Sequence, residues 1–151
     1  MSIPDFIADA VSHLDNRMGI VLEEVTPERT RGRMPVDGNT QVFGMLHGGA
    51  SCVLIEGLAS VAAVAEVGPG GRAFGVDINA THHRAVTSGW VHGEATAIYI
   101  GGRTATYEVV LTDDDGQRVC TGRLTCTLRR PGTHASGTSR EPAPSPRHIQ
   151  S

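Results

Sequence analysis

The sequence predicts an α+β fold in which one antiparallel sheet wraps around a single long buried helix. Apolar residues recur every three or four positions from His47 to about Val67, which is the period of an α-helix. Two strand-like segments precede this helix and four follow it. One sheet of this kind leaves an unpaired edge strand and an uncovered surface, so we expect the chain to form homo-oligomers.

Length and composition indicate one globular domain. The chain has 151 residues, of which 39% are hydrophobic and 19% are charged. Its net charge of −3 is unlike that of nucleic-acid-binding proteins, and it has no run of 18 apolar residues that would cross a membrane. The N-terminal segment lacks the basic start and apolar block of a signal peptide. We therefore expect a cytoplasmic protein without nucleic-acid or membrane partners.

Cysteine and histidine positions argue against disulfides and metal sites. Three cysteines are an odd number, and Cys120 and Cys126 lie about 20 Å apart on one predicted strand. No disulfide can join them, which favours a reducing compartment. His82 and His83 are neighbours on another predicted strand, so their side chains point to opposite faces and cannot share one ion. We expect neither a metal nor a cofactor.

The segments before the long helix are short. Residues 4–15 have helical spacing of apolar side chains, which predicts one amphipathic helix. Its apolar positions are Phe6, Ile7, Ala10, Val11 and Leu14. Residues 19–36 are predicted to form two strands joined by a turn at Pro27 and Glu28, and residues 37–45 are a loop by composition.

The long helix is apolar over most of its surface, which is typical of a helix buried in a core. Its periodic apolar positions are Ala50, Val53, Leu54, Leu58, Val61 and Ala65. Glycine and proline at 68–71 end it. Glu56 lies two turns inside, and we expect it to be buried. A buried carboxylate is costly unless it has a task or a partner.

Four strands are predicted after the helix, at 72–83, 90–100, 104–112 and 117–128, with turns at 101–103 and 113–116. On the first of these, alternation places His82 on the inner face with Phe74, Val76, Ile78 and Ala80. On the last, the residues expected to face the core are Cys120, Leu124, Cys126 and Leu128. The C-terminal segment is rich in proline, serine, glycine and threonine. We therefore expect a domain at 1–130 and a disordered tail at 131–151.

The start of the long helix carries groups suited to chemistry. Gly48 and Gly49 allow a ligand close to backbone N–H groups that lack helical partners, where developing negative charge is favoured. Gln41, in the preceding loop, can add a side-chain donor. A thin polar stripe follows at every fourth helical position: Cys52, Glu56 and Ser60. Together these groups suit acyl transfer to water, although Glu56 could instead be a structural carboxylate paired with an arginine.

Residues 41–60, 75–85 and 99–109 strongly resemble the hotdog-fold acyl-CoA thioesterases of the PaaI type. They look closest to the branch with 4-hydroxybenzoyl-CoA and 1,4-dihydroxy-2-naphthoyl-CoA thioesterases. The specific feature is the spacing: glutamine seven residues before the first glycine, and glutamate eight residues after it. The resemblance covers residues 15 to 130. It implies hydrolysis of acyl-CoA, with aromatic hydroxy-acyl or phenylacetyl-type acyl groups, in dimers that commonly pair into tetramers and whose sites lie across a dimer interface.

The resemblance also implies roles for individual residues. Glu56 would be the nucleophile or general base, while the Gly48 N–H and Gln41 polarise the thioester carbonyl. His47 would shape the site or assist the leaving thiolate, and Ser60 would position water or the acyl group. The substrate-binding residues are His82, Phe43, Arg84 and, in the turn near the CoA phosphates, Gly101, Gly102 and Arg103.

Two other functions on the same fold remain open. An enoyl-thioester hydratase or dehydratase would need a histidine and a carboxylate as an acid–base pair near the helix start. A non-catalytic acyl-CoA-binding module would leave Glu56 without a role. The spacing of Glu56 from Gly48 favours hydrolysis.

Overall fold

Residues 3–132, the part of the chain that the computed structural model describes, form a six-stranded antiparallel sheet packed against one long helix. The elements are α1 (Asp5–Ala8), α2 (His13–Met18), β1 (Val21–Val25), β2 (Arg29–Pro35), α3 (Gly48–Val67), β3 (Arg72–His82), β4 (Trp90–Ile100), β5 (Thr104–Thr112) and β6 (Arg118–Arg129). The strand order is β1-β2-β4-β5-β6-β3, and α3 contacts every strand. This is the predicted fold class and the hotdog arrangement that the resemblance implies. Of the tail predicted at 131–151, residues 133–151 lie outside the described residues.

The core lies between α3 and the inner face of the sheet. Leu54, Ile55 and Leu58 are fully buried. Glycines let the helix approach the strands: a Cβ on Gly93 would collide with Leu58, and one on Gly122 would lie 2.6 Å from Ile55 Cδ1. The predicted core positions of β6 are confirmed as buried: Cys120, Leu124, Cys126 and Leu128.

One face of α3 is covered and the other is not. By length and mean hydropathy (1.7) α3 could cross a membrane, but half of its 18-residue apolar window is buried against the sheet, as in a core helix. Glu56, on the other face, is exposed, and Ser60 is half-buried. The expectation that Glu56 is buried is therefore wrong for the single chain, because no other described element covers this face.

The N-terminal segment contains two helices instead of the single helix predicted at 4–15. Ser12 is the N-cap of α2, and its hydroxyl accepts a hydrogen bond from Asp15 N at 3.3 Å. An N-cap residue has non-helical backbone angles, so a helix cannot run through Ser12. α1 ends at Ala8, four residues before this cap, and Val11 stays largely exposed.

Strand β3 lies at one edge of the sheet and contains a β-bulge between Gly75 and Asp77. Before the bulge, Gly75 pairs with the buried Cys126; after it, Ile78 pairs with the buried Leu124. Directly paired residues lie on the same face of a sheet. Gly75 and Ile78 therefore both face the helix, although they are three residues apart.

The bulge corrects the predicted facing of two residues. Phe74 pairs with Thr127, which neighbours the core-facing positions of β6, so Phe74 lies on the outer face. Val76 is the extra residue at the bulge and is 63% exposed. Strict alternation had placed both inward with Ile78, but alternation fails wherever one strand carries an extra residue. His82, which pairs with the buried Cys120, faces inward as predicted.

The three cysteines are free, which agrees with the prediction that Cys120 and Cys126 cannot bond to each other. Both are fully buried. Burial raises the pKa of each thiol, to about 11, so both are neutral at physiological pH.

Candidate active site

His47 caps the N-terminus of α3 and leaves one backbone donor free. Its Nδ1 accepts a hydrogen bond from Gly49 N at 2.8 Å, and its carbonyl accepts from Ala50 N at 2.9 Å and Ser51 N at 3.2 Å. Because Nδ1 is an acceptor, the neutral ring carries its proton on Nε2. Within residues 3–132, the Gly48 N–H has no hydrogen-bond acceptor. This N–H is therefore available to a ligand.

A cavity of about 350 Å³ opens at this helix terminus. It brings together Gln41 and Gly48 from the predicted catalytic set with His82 and Arg84 from the predicted substrate-binding set. The residues lining it are Gln41, Met45, Leu46, Gly48, Ser51, His82, His83, Arg84, Ala85 and Val119. Sequence reasoning missed Met45 and Ser51, which lie three residues before and after Gly48, and Val119, which only the tertiary fold brings to the cavity wall.

The His82 ring packs directly over Gly48. A Cβ on Gly48 would lie 2.9 Å from His82 Nε2 and 3.2 Å from its Cε1. Any side chain at position 48 would therefore push the histidine away. The glycine required by sequence reasoning for close approach to the backbone also creates the contact between the helix terminus and β3.

Gln41 is held by a tight loop that also orients its side chain. Gln41 N donates to Met45 O at 2.8 Å, and Gly44, at φ 77°, donates to Gln41 O at 3.0 Å. The side-chain Oε1 accepts from Phe43 N. The amide NH₂ is therefore the part of the side chain left for a ligand. Phe43 itself is 80% exposed and does not line the cavity, so nothing in the single chain brings it to the site.

Glu56 lies apart from this cavity in the single chain. It is eight residues after Gly48, which corresponds to about 12 Å along a helix axis. Within the described residues it makes no ion pair and no hydrogen bond, so the alternative of a carboxylate paired with an arginine is not supported here. Its Oε1 lies 3.1 Å from the place that a Cβ on Gly75 would take.

Ser60 lies one turn beyond Glu56 and interacts with the buried thiol of Cys126. Burial is the main cause of the raised pKa of this thiol; Ser60 lowers the pKa and Glu56 raises it. Since the thiol is neutral, Cys126 is not a nucleophile here. Glu56, Ser60 and the buried Cys126 form a second polar group, separate from the cavity.

Arg84 lies at the rim of the cavity. Its Nε is 3.4 Å from Asp113 Oδ2, and its side chain is 55% exposed. Exposed ion pairs of this kind add little stability. The guanidinium therefore remains accessible to an anionic ligand.

The turn at Gly101, Gly102 and Arg103 lies at the other end of α3. Arg130 joins this turn to the end of the helix, because its Nη2 donates hydrogen bonds to Glu66 Oε1 and to Gly101 O, both at 3.0 Å. Glu66 is in the last turn of α3, so the length of the helix, about 30 Å, separates the turn from Gly48. One chain does not bring this turn to the cavity.

Within the described part of the chain, no three histidine, cysteine, aspartate or glutamate side chains are grouped so as to hold a metal ion. The chemistry available at the site is that of backbone N–H, amide, imidazole, hydroxyl and carboxylate groups.

Comparisons with known proteins agree with this set of groups. Residues 43–120 match the family described as the thioesterase superfamily. The proofreading thioesterase EntH of Cronobacter sakazakii is 36% identical over 129 residues, covering 85% of this chain and 94% of the relative. The crystal structure of a variant of the Pseudomonas aeruginosa thioesterase PA1618, in which a glutamine is replaced by alanine, is 34% identical. It has a TM-score of 0.78 and covers 85% of this chain and 94% of that one.

Two structures of a Staphylococcus aureus protein, one of which names it a thioesterase enzyme, are 26% and 27% identical. They cover 78% of this chain and 99% and 98% of theirs, each with a TM-score of 0.75. In one a glutamine is replaced by alanine and in the other a glutamate, and the two positions are fifteen apart in that protein. Gln41 and Glu56 have the same separation in this chain.

Proposed function

We propose that this chain hydrolyses acyl-CoA to the free acid and CoA, at a site shared between two copies of the chain. The premise is that the chain belongs to the thioesterase superfamily and is a thioester hydrolase. The observation that carries this proposal is the free Gly48 N–H beside the Gln41 amide in one cavity. Two donors in one cavity suit the oxygen of a thioester carbonyl, which gains negative charge in the transition state.

The separation of Gly48 from Glu56 supports a shared site. A carboxylate that attacks the carbonyl carbon, or activates a water next to it, must lie within about 3.5 Å of the reacting atoms. About 12 Å of helix separates the two residues in one chain, so Glu56 of the second copy is the carboxylate we assign to each cavity.

Strand β3 offers a way to bring the second copy there. It is an exposed edge strand of eleven residues, and Phe74, Val76 and Ile78 on it are exposed apolar residues. Two copies paired antiparallel along β3 would form a continuous sheet, with Arg72 of one opposite His82 of the other. Because Gly75 contacts Glu56 and His82 contacts Gly48, the same pairing brings Glu56 of one copy toward Gly48 of the other.

In this assembly the steps follow from the groups available. The Gly48 N–H and the Gln41 amide polarise the carbonyl. In one route Glu56 of the second copy adds to the carbonyl carbon, the C–S bond breaks with release of the CoA thiolate, and water then hydrolyses the Glu56–acyl anhydride to the free acid. In the other route Glu56 takes a proton from the water that adds to the carbonyl carbon, and the C–S bond breaks to give the free acid and the CoA thiolate. The Nε2–H of His47 is available to donate a hydrogen bond to the leaving thiolate. The Ser60 hydroxyl positions the water or the acyl group.

The same pairing moves the turn at Gly101 and Gly102 of the second copy toward the cavity end of β3. We assign this turn, with Arg103, to the phosphates of CoA, and Arg84 and His82 to the rest of the substrate at the rim. Phe43 is placed against the substrate by the loop that holds Gln41. The acyl group is expected to be a hydroxylated aromatic or phenylacetyl-type group. Residues 1–130 would form the catalytic domain, in the cytoplasm, where free thiols stay reduced.

Replacing Glu56 by glutamine tests the proposal. The amide keeps the size of the side chain but can neither attack a carbonyl nor take a proton, so kcat should fall by at least about 10³. Acyl-CoA binding should persist, since the donors and the phosphate contacts are elsewhere. Release of CoA thiol from a panel of aromatic and medium-chain acyl-CoAs measures both the preference for an acyl group and the loss of kcat in the variant.

The panel also separates the alternatives. A hydratase would consume enoyl-CoA without releasing thiol, and a binding module would bind acyl-CoA without turnover. If the Glu56→Gln variant kept a tenth of the wild-type kcat on the best substrate, Glu56 would not be the catalytic carboxylate.

A further inference from the structure

The space around the Glu56 carboxylate is limited on the side of the sheet. A Cβ on Gly75 would lie 3.1 Å from Glu56 Oε1, 3.7 Å from Glu56 Cδ and 3.3 Å from Leu124 Cδ1. The contacts at 3.1 Å and 3.3 Å are tighter than ordinary van der Waals contact, so a methyl group at position 75 requires a neighbour to move.

The carboxylate is the neighbour that can move. Leu124 is 1% exposed and belongs to the packed core, which resists displacement. Glu56 is exposed and, within residues 3–132, has no ion pair or hydrogen bond to hold it. A methyl group at position 75 would therefore shift the carboxylate by a few tenths of an ångström and leave the core in place.

Because of the bulge in β3, the residue that faces inward beside Glu56 is Gly75. Without the bulge, strict alternation from Ile78 would turn Val76 toward the helix, and its isopropyl group would occupy the space beside Glu56. With the bulge, Gly75 takes the inward position opposite Cys126, and Val76 is 63% exposed. Bulges that redirect a strand in this way are common beside active sites.

We infer that Gly75 and the bulge at Val76 form a positioning device, which keeps open the place that the Glu56 carboxylate needs for catalysis. The inference rests on the catalytic role proposed for Glu56. Gly75 touches no substrate and acts only through the carboxylate. Its strand partner Cys126 is fully buried beneath it.

The substitution Gly75→Ala tests the inference. Displacement by 1 Å costs about 10²-fold in rate, so a smaller shift should lower kcat about tenfold. KM should change less than about twofold, since neither carbonyl donors nor phosphate contacts move. Thermal stability should be unchanged or higher, because replacing glycine by alanine in a strand interior removes an entropic cost.

Two further variants separate positioning from structural damage. In the Glu56→Gln background, Gly75→Ala should lower the residual kcat no further, since the carboxylate it displaces is absent. Thr127→Ala is the matched control: Thr127 lies at the same level of the sheet on the outer face, away from Glu56. It should keep wild-type kcat and KM.

Each outcome bears on the inference. Lower kcat with retained melting temperature, and no added loss in the Glu56→Gln background, supports it. Wild-type kcat in Gly75→Ala overturns it, as does a fall in melting temperature or a failure to fold, since the methyl group would then disturb the core. If Glu56→Gln itself kept activity, the proposed role of Glu56 would fail first, and Gly75 would have nothing to position.

Discussion

At the scale of single residues, Gln41 shows how one side chain can have two separable roles. Its Oε1 accepts from Phe43 N and fixes the loop, while its NH₂ remains free for the cavity. Gln41→Glu keeps an acceptor for the Phe43 N–H and removes the donor. We expect kcat for acyl-CoA to fall about 10²–10³-fold, the cost of losing one oxyanion donor, with little change in KM. Unchanged kcat would mean that Gln41 does not reach the carbonyl. The control is Val42→Ala, at a residue that is 92% exposed, which should keep the wild-type kcat.

At the scale of the helix, the His47 cap connects stability with the geometry of the donor. His47→Ala removes the acceptor for Gly49 N and should lower the free energy of unfolding by about 1 kcal/mol, measured by urea denaturation. His47→Asn offers an oxygen at a similar place and should recover much of that stability. If the imidazole also assists the leaving thiolate, the Asn variant recovers stability but not kcat. Recovery of both would restrict His47 to capping.

The elements also differ in how well the sequence predicts them. The helix period and the strand alternation depend on local burial, so α3 and β6 follow from the pattern. The bulge at Val76 depends on the register of β3 against β6, which no local pattern contains. The break at Ser12 did have a local signal, because serine followed by an acidic residue three positions later is typical of a helix start.

The site was predictable to the extent that it depends on one segment. Gly48, His47 and Gln41 lie at or just before the start of α3, and their spacing alone indicated a donor site. The exposure of Glu56 could not be predicted, since it depends on which face of α3 the sheet leaves uncovered. Val119 in the cavity wall comes from β6, seventy-one residues after Gly48 in the sequence, and only the fold brings it there.

At the scale of the whole molecule, the uncovered face of α3 and the exposed edge β3 predict a dimer or a tetramer. Sedimentation at micromolar concentration should give two or four times the chain mass of 15.9 kDa. The physical reason is the apolar edge, where Phe74, Val76 and Ile78 are exposed in the single chain. A monomer that retained full activity at this concentration would contradict both the predicted assembly and the shared site.

The strand order has a consequence for synthesis of the chain on the ribosome. Within residues 3–132, β3 pairs only with β6, the last strand along the chain, so β3 is made about 36 residues before its partner. Until β6 emerges, β3 and the apolar helix that precedes it lack their full cover, which makes the nascent chain dependent on late, long-range pairing. A chain truncated after residue 116 should therefore be degraded by a protease that leaves the full-length chain intact. The wall beside Glu56 is built from Gly75 of β3 and Cys126 of β6, so catalytic competence is the last property that the growing polypeptide acquires.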